Sequence, residues 1–158
     1  FYGVPEGATK LGIITQYKWV TQYNATNQRL SMGRSKPKEH GALSDRFFIG
    51  EPSGNVILIE DVITTGGSML NCLDQLQQAN MNVVSVIGLT DRLMRTSEGD
   101  LVVDACKKRG VPFYAMSRID QLIPSLLEQS DISESLVKIF LTISAAIVAF
   151  IIFKRIIF

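Results

Sequence analysis

An α/β fold, with a parallel sheet flanked by helices and a further hydrophobic helix at the C-terminus, is the architecture this sequence predicts. Three observations carry the prediction. Residues 56–59 read VILI, a continuous apolar and β-branched run of the kind that strands buried on both faces require. Gly66-Gly67 then opens residues 68–79, where Leu70, Leu73 and Leu76 form the apolar stripe of an amphipathic helix. A second apolar run, residues 83–89, follows at once. Strand and helix thus alternate, which implies parallel strands joined by right-handed crossovers.

The remaining elements follow in chain order. Gly3-Val4-Pro5-Glu6-Gly7 is a glycine-rich turn, and a helix is expected from Ala8 to about Tyr23, with Leu11, Ile14, Lys18 and Trp19 in imperfect helical spacing. Residues 29–33 predict a short strand. Residues 34–54 are polar, rich in Gly and Pro, and long for a connector, and such segments in compact domains are usually functional or mobile. Beyond 83–89, residues 101–109 predict a helix ended by Gly110, residues 111–116 a strand, and residues 119–128 a short helix bent or restarted at Pro124.

The chain of 158 residues is long enough for one domain with its own core, and its formal net charge of +1 gives no reason to expect nucleic acid as a partner. Cys72 and Cys106 are far apart, without metal-ligand spacing, and read as reduced core thiols of a cytoplasmic domain. The first residue is Phe rather than Met, and a truncated N-terminus is the expectation that follows.

The chemistry concentrates in VILIEDVITTGGS, residues 56–68. A strand delivers this turn to the carboxyl edge of the sheet, where open α/β folds bind ligands. The hydroxyls of Thr64, Thr65 and Ser68 can donate to phosphate oxygens. Gly66 and Gly67 let backbone N–H groups close around the anion, and the helix N-terminus adds its dipole. Glu60 and Asp61 would repel a phosphate but can accept hydrogen bonds from the vicinal hydroxyls of a ribose. The lysine of a P-loop is absent, and so is the dinucleotide-binding glycine pattern.

This segment resembles the phosphoribosyl-pyrophosphate (PRPP) motif of the type I phosphoribosyltransferases. Residues 33–41, GRSKPKEHG, resemble the mobile catalytic loop of the orotate phosphoribosyltransferases. Gly3–Gly7 resembles that family's pyrophosphate-contacting loop, and Thr90-Asp91-Arg92 falls where the family has an arginine for the orotate carboxylate. The likeness runs from about Tyr2 to Leu127. It implies transfer of the phosphoribosyl group of PRPP to orotate, giving orotidine 5′-monophosphate and pyrophosphate, with Mg²⁺ bound through the pyrophosphate rather than by protein ligands. It implies Lys38, His40 and Arg34 as the catalytic cations. The PRPP contacts would be Arg34, Ser35, Lys38, His40, Glu60, Asp61, Val62, Ile63, Thr64, Thr65, Gly66, Gly67 and Ser68, and the orotate contacts Thr64 and Arg92. A homodimer is implied as well, because the family's loop reaches into the neighbouring subunit. The alternatives are a phosphoribosyltransferase for another base and a non-catalytic PRPP-binding regulator. Two departures stand out: Tyr2 occupies a position where many members have lysine, and Glu60 one where many have aspartate.

The C-terminus has a different character. Residues 139–153 carry no charge, and extending the run to 136–158 gives a helix of about 34 Å, enough to cross a ~30 Å hydrocarbon core with Lys138, Lys154 and Arg155 at its ends. The expected organisation is a phosphoribosyltransferase domain at 1–129, a linker at 130–135 and a transmembrane helix at 136–158 tethering the cytoplasmic domain to a membrane.

Overall fold

The computed structural model describes residues 1–34, 36–40, 46–50 and 52–129. The chain divides into two compact units, Phe1–Asp120 and Gln121–Phe158. The first contains a sheet of four parallel strands in the order β1 (Tyr2–Gly3), β4 (Asn55–Ile63), β5 (Asn82–Asp91) and β6 (Phe113–Arg118). The expected α/β architecture is therefore present. Helix α1 (Thr9–Tyr23) follows β1, α2 (Gly67–Gln78) joins β4 to β5, and α3 (Val102–Lys108) joins β5 to β6. A small antiparallel hairpin, β2 (Met32–Gly33) with β3 (Phe48–Ile49), stands apart from the sheet.

Leu58 and Ile59 are both buried, so β4 is covered on its two faces, as its unbroken apolar run requires. Leu58 belongs to a core cluster with Leu73 and Leu76 of α2, Val86 of β5 and Cys106 of α3. Both thiols are buried, and burial pushes Cys72 up to about 12 and Cys106 to about 11, as inert core cysteines should be. Arg109 adds a bidentate pair to Asp74, at 2.6 and 3.1 Å, that ties the end of α3 to α2.

Several boundaries differ from the sequence expectation. Strand β4 runs on through Glu60 and Asp61 to Ile63, because β5 pairs with it as far as Ile63↔Asp91. The strand expected at 29–33 is only Met32–Gly33, and β3 lies inside the segment that composition marks as connector. The sixth strand starts at Phe113 rather than Val111 and extends to Arg118.

In α1 the expected stripe is wrong. Gly12 and Gln16 face the body, whereas Ile14 and Trp19 are exposed. The reason is close contact: a Cβ on Gly12 would lie 2.5 Å from the Gly3 nitrogen, so the helix sits directly on the β1 backbone.

Helix α4 (Ile119–Gln129) carries Pro124 within it, and the Ser125 hydroxyl donates to the Gln121 carbonyl at 3.1 Å. Among the described residues no helix is long and apolar enough to cross a membrane. The expected linker at 130–135 and span at 136–158 lie outside the described residues, as does Ser35.

Candidate active site

Because all four strands of the sheet are parallel, their carboxyl ends open on one edge, which carries the Gly3–Gly7 turn after β1, the Thr64–Gly66 turn after β4 and Arg92 after β5. The β4–α2 turn, Thr64 to Gly66, encloses a cavity of about 160 Å³ lined by Glu60, Thr64, Thr65, Gly66, Gly67 and Ser68 among others. Gly66 has φ +73° and makes the sharp turn, with no room for a side chain against Val102. Helix α2 starts there with no side-chain cap and no acid in its first turn, which leaves its N-terminal N–H groups and positive dipole end available to an anion. Thr65 and Ser68 are exposed and Thr64 half-buried, so their hydroxyls are accessible from the cavity side.

A larger cavity, about 700 Å³, lies between the β1–α1 loop and the β2–β3 hairpin. Its walls include Glu6, Gly7, Lys10, Arg34 and Lys36. The hairpin is held over β1 by Tyr2, which is buried and stacks edge-on with Phe48 at 6.0 Å between ring centres. Gly33 packs on the Tyr2 hydroxyl and Pro5, and the Arg34 N–H bonds the Phe47 carbonyl at 2.8 Å. Tyr2 therefore works as a packing residue, which explains how the position dispenses with a lysine.

Asp61 stands next to residues of both cavities: its chain neighbours Glu60 and Val62 line the small one, and Gly7, which its carboxylate touches, lines the large one. Its carboxylate lies against the Gly7 backbone, 3.0 Å from where a Cβ would stand, and accepts the Val62 N–H at 2.7 Å. Glu60 is its neighbour along a strand, so the two side chains point to opposite faces. Glu60 is 8% exposed and lines the small cavity, while Asp61 is half-exposed. The two acids thus differ in burial, although the Glu60 carboxyl still accepts the Asp61 N–H at 3.2 Å.

Burial pushes the Glu60 carboxyl up to about 7; its side-chain contact with the Asp61 carboxylate raises it as well, while the Asp61 backbone N–H that it accepts acts the other way. The folded state holds the proton more tightly than the unfolded chain does. The stabilisation is therefore complete below the ordinary value of 4.5 and lost as pH rises through about 7. A displacement of that size corresponds to roughly 3 kcal/mol. Urea denaturation of the wild type should show that loss between about pH 5 and pH 8, and Glu60→Gln should flatten the profile. A wild-type profile already flat over this range would refute the assignment.

The other predicted residues are distributed as follows. Val62 is half-exposed at the loop, whereas Ile63 is 1% exposed and offers a ligand only its backbone. The Ile63 carbonyl accepts the Arg92 N–H at 2.9 Å, which anchors Arg92 beside the loop with its side chain exposed. Buried Asp91 caps that turn by accepting the Leu93 N–H at 2.8 Å, with Leu93 at φ +56°. Arg34 reaches the large cavity. Lys38 and His40 are exposed and line neither cavity; the Lys38 N–H closes the hairpin loop onto the Arg46 carbonyl at 3.1 Å. Lys10 and Glu6 were not singled out from the sequence. A cation placed in a helix's first turn, against its dipole, was the available signal for Lys10.

A parallel sheet with a phosphate-sized cavity at a strand–turn–helix edge and a basic hairpin beside it defines the type I phosphoribosyltransferase-like fold. Known proteins agree. The chain is 32% identical over 101 residues to the orotate phosphoribosyltransferase of Staphylococcus epidermidis, covering 63% of this chain and 47% of that one. It is 39% identical over 95 residues to that of Sorangium cellulosum, covering 58% and 45%. The chain thus spans about half the length of these curated relatives. Among solved structures, Francisella tularensis orotate phosphoribosyltransferase superposes with a TM-score of 0.60 at 17% identity, over 87% of this chain and 64% of that one. Leishmania donovani UMP synthase gives 0.57 at 25% identity, over 89% and 28%. No family model matches the chain.

Proposed function

We propose that the chain carries the catalytic core of an orotate phosphoribosyltransferase, which transfers the 5-phosphoribosyl group of PRPP to orotate and releases pyrophosphate. The observation that carries this reading is the pair of cavities linked by the contact of Asp61 with Gly7. The small one, with threonine and serine hydroxyls and a helix N-terminus, suits the 5′-phosphate. The large one, with Lys10, Arg34 and Lys36, suits the diphosphate. Asp61, which touches Gly7, would accept from a ribose hydroxyl, and Glu60, only about half ionised near pH 7, repels a bordering phosphate less than a full carboxylate would. Arg92 at the end of β5 would receive the orotate carboxylate, with Thr64 beside the base.

In the reaction the bond from the anomeric carbon to the diphosphate breaks as an orotate nitrogen forms its bond to that carbon. Negative charge grows on the leaving oxygen, and cations positioned there stabilise the transition state more than the ground state. Arg34, Lys38 and His40 are the proposed sources, with Ser35 as a further contact. The exposure of Lys38 and His40 suits a loop that serves the site of a second copy, so the reading includes a homodimer. Closure of that loop would also exclude water, which otherwise hydrolyses PRPP.

The oxygen chemistry fits Mg²⁺, which favours one or two carboxylates together with substrate phosphates, and Asp61 presents a carboxylate beside the Gly7 backbone. When bound, the ion would neutralise charge developing on the diphosphate.

The test is loss of orotate absorbance when the purified chain is given PRPP, Mg²⁺ and orotate. Turnover of another base with orotate untouched would sink the choice of acceptor. Residues 136–158 enter this reading as a membrane anchor of the cytoplasmic domain; release of the full chain into the soluble fraction on carbonate extraction would exclude it.

A further inference from the structure

We infer that Lys10 binds the diphosphate end of the substrate and supplies the leaving-group charge from the β1–α1 side of the large cavity. This rests on the PRPP reading above and adds a residue that none of the recognised motifs contains. Lys10 lines the cavity opposite the hairpin cations Arg34 and Lys36, so positive charge enters from two separate elements. Among the described residues that line it, Glu6 is the one acid, with the Asp61 carboxylate behind Gly7. A cavity of about 700 Å³ with that imbalance fits an extended polyanion better than the single phosphate for which the β4–α2 cavity, about 160 Å³, has room.

The placement of Lys10 is unfavourable unless an anion is present. It occupies the first turn of α1, where the helix dipole opposes a cation. That turn has no acidic residue, and the N-cap, Ala8, has no side-chain hydrogen bond to offer. Among the described residues Lys10 and Lys36 take part in no ion pair, unlike Lys108, Arg109 and Arg118, each of which has a carboxylate. Gly7, three residues before Lys10, lines this cavity and touches the Asp61 carboxylate with its backbone. A ligand with its ribose at Asp61 therefore has the Lys10 side of the cavity as the direct extension of its diphosphate arm. When the bond to the anomeric carbon breaks, the electron pair stays on the leaving diphosphate, and the charge on Lys10 gains value at that moment.

Inorganic pyrophosphate, titrated calorimetrically into the full chain, is the probe. Lys10→Met should weaken its binding about tenfold, as loss of one charge-assisted contact would. Lys10→Arg should recover most of the affinity. Lys18→Met, the same charge change on an exposed position of the same helix outside the cavity, should leave binding as in the wild type. Equal pyrophosphate affinity in Lys10→Met and wild type overturns the inference, and so does a wild type that binds no pyrophosphate. Lys10-dependent pyrophosphate binding without any turnover of PRPP and a base would overturn the enzyme reading alone.

Discussion

Lys38→Ala is expected to lower turnover of PRPP and orotate by roughly 10²–10³-fold, the usual consequence of removing one group aimed at charge that develops in a transition state. PRPP affinity should change little by comparison. Lys38 is exposed and lines neither cavity, so it contributes to the ground-state complex less than Lys10 and Arg34 do. An interaction made only in the transition state lowers kcat and kcat/KM together, and steady-state kinetics separates that pattern from a rise in KM alone. Stability should be unaffected, because what ties this part of the hairpin is the Lys38 backbone N–H to the Arg46 carbonyl, which alanine retains. Loop exchange between two copies adds a second expectation. Mixing Lys38→Ala with a variant disabled in the phosphate loop, such as Thr65→Val, should regain activity, since one mixed site receives an intact loop and an intact cradle. Full activity of Lys38→Ala would remove it from the mechanism and favour the non-catalytic regulator.

The largest effect on stability is expected from Gly12→Ala. Alanine inside a helix is ordinarily favoured over glycine by about 1 kcal/mol. Here a Cβ would stand 2.5 Å from the Gly3 nitrogen and 2.9 Å from the Gly3 Cα, both backbone atoms of β1. Neither can rotate away, so α1 must lift off the strand or β1 must shift within the sheet. Overpacking of this kind costs about 3 kcal/mol, which outweighs the propensity gain and should lower the melting temperature by about 10 °C. The same displacement would move the Gly3–Gly7 loop and with it one wall of the large cavity, so pyrophosphate affinity should fall alongside stability. Gln78→Ala, at an exposed position of α2, should stay within about 0.5 kcal/mol of wild type. A melting temperature for Gly12→Ala equal to or above that of the wild type would show that α1 does not lie on β1 as described.

How legible these features are in the sequence depends on how local their causes are. The β4–α2 turn is readable because each of its requirements is written within a few residues: an apolar run to bury the strand, hydroxyls for an anion, a glycine where φ must be positive. The basic character of 34–40 is readable for the same reason. The buried face of α1 is not. Its apolar spacing points to Ile14 and Trp19, yet Gly12 and Gln16 face the body, because backbone contact with Gly3 decides the rotation of the helix and a glycine carries no hydrophobic signal. The end of β4 is not readable either, since turn-forming composition from Glu60 onward competes with pairing to β5, and the pairing prevails as far as Ile63.

The strand–turn–helix corner at Thr64–Ser68, the proposed phosphate site, was determined by the sequence alone, because such a corner is a local structure. Tertiary structure alone decided what surrounds that corner. Strand pairing turned Glu60 and Asp61 to opposite faces, and burial raised the first of them to about 7. The parallel order of the sheet carried Gly7 against Asp61, and the hairpin brought Arg34 and Lys36 across from Lys10. Those groups are tens of residues apart in the chain, and charge, burial and contact between them exist only once the sheet has formed.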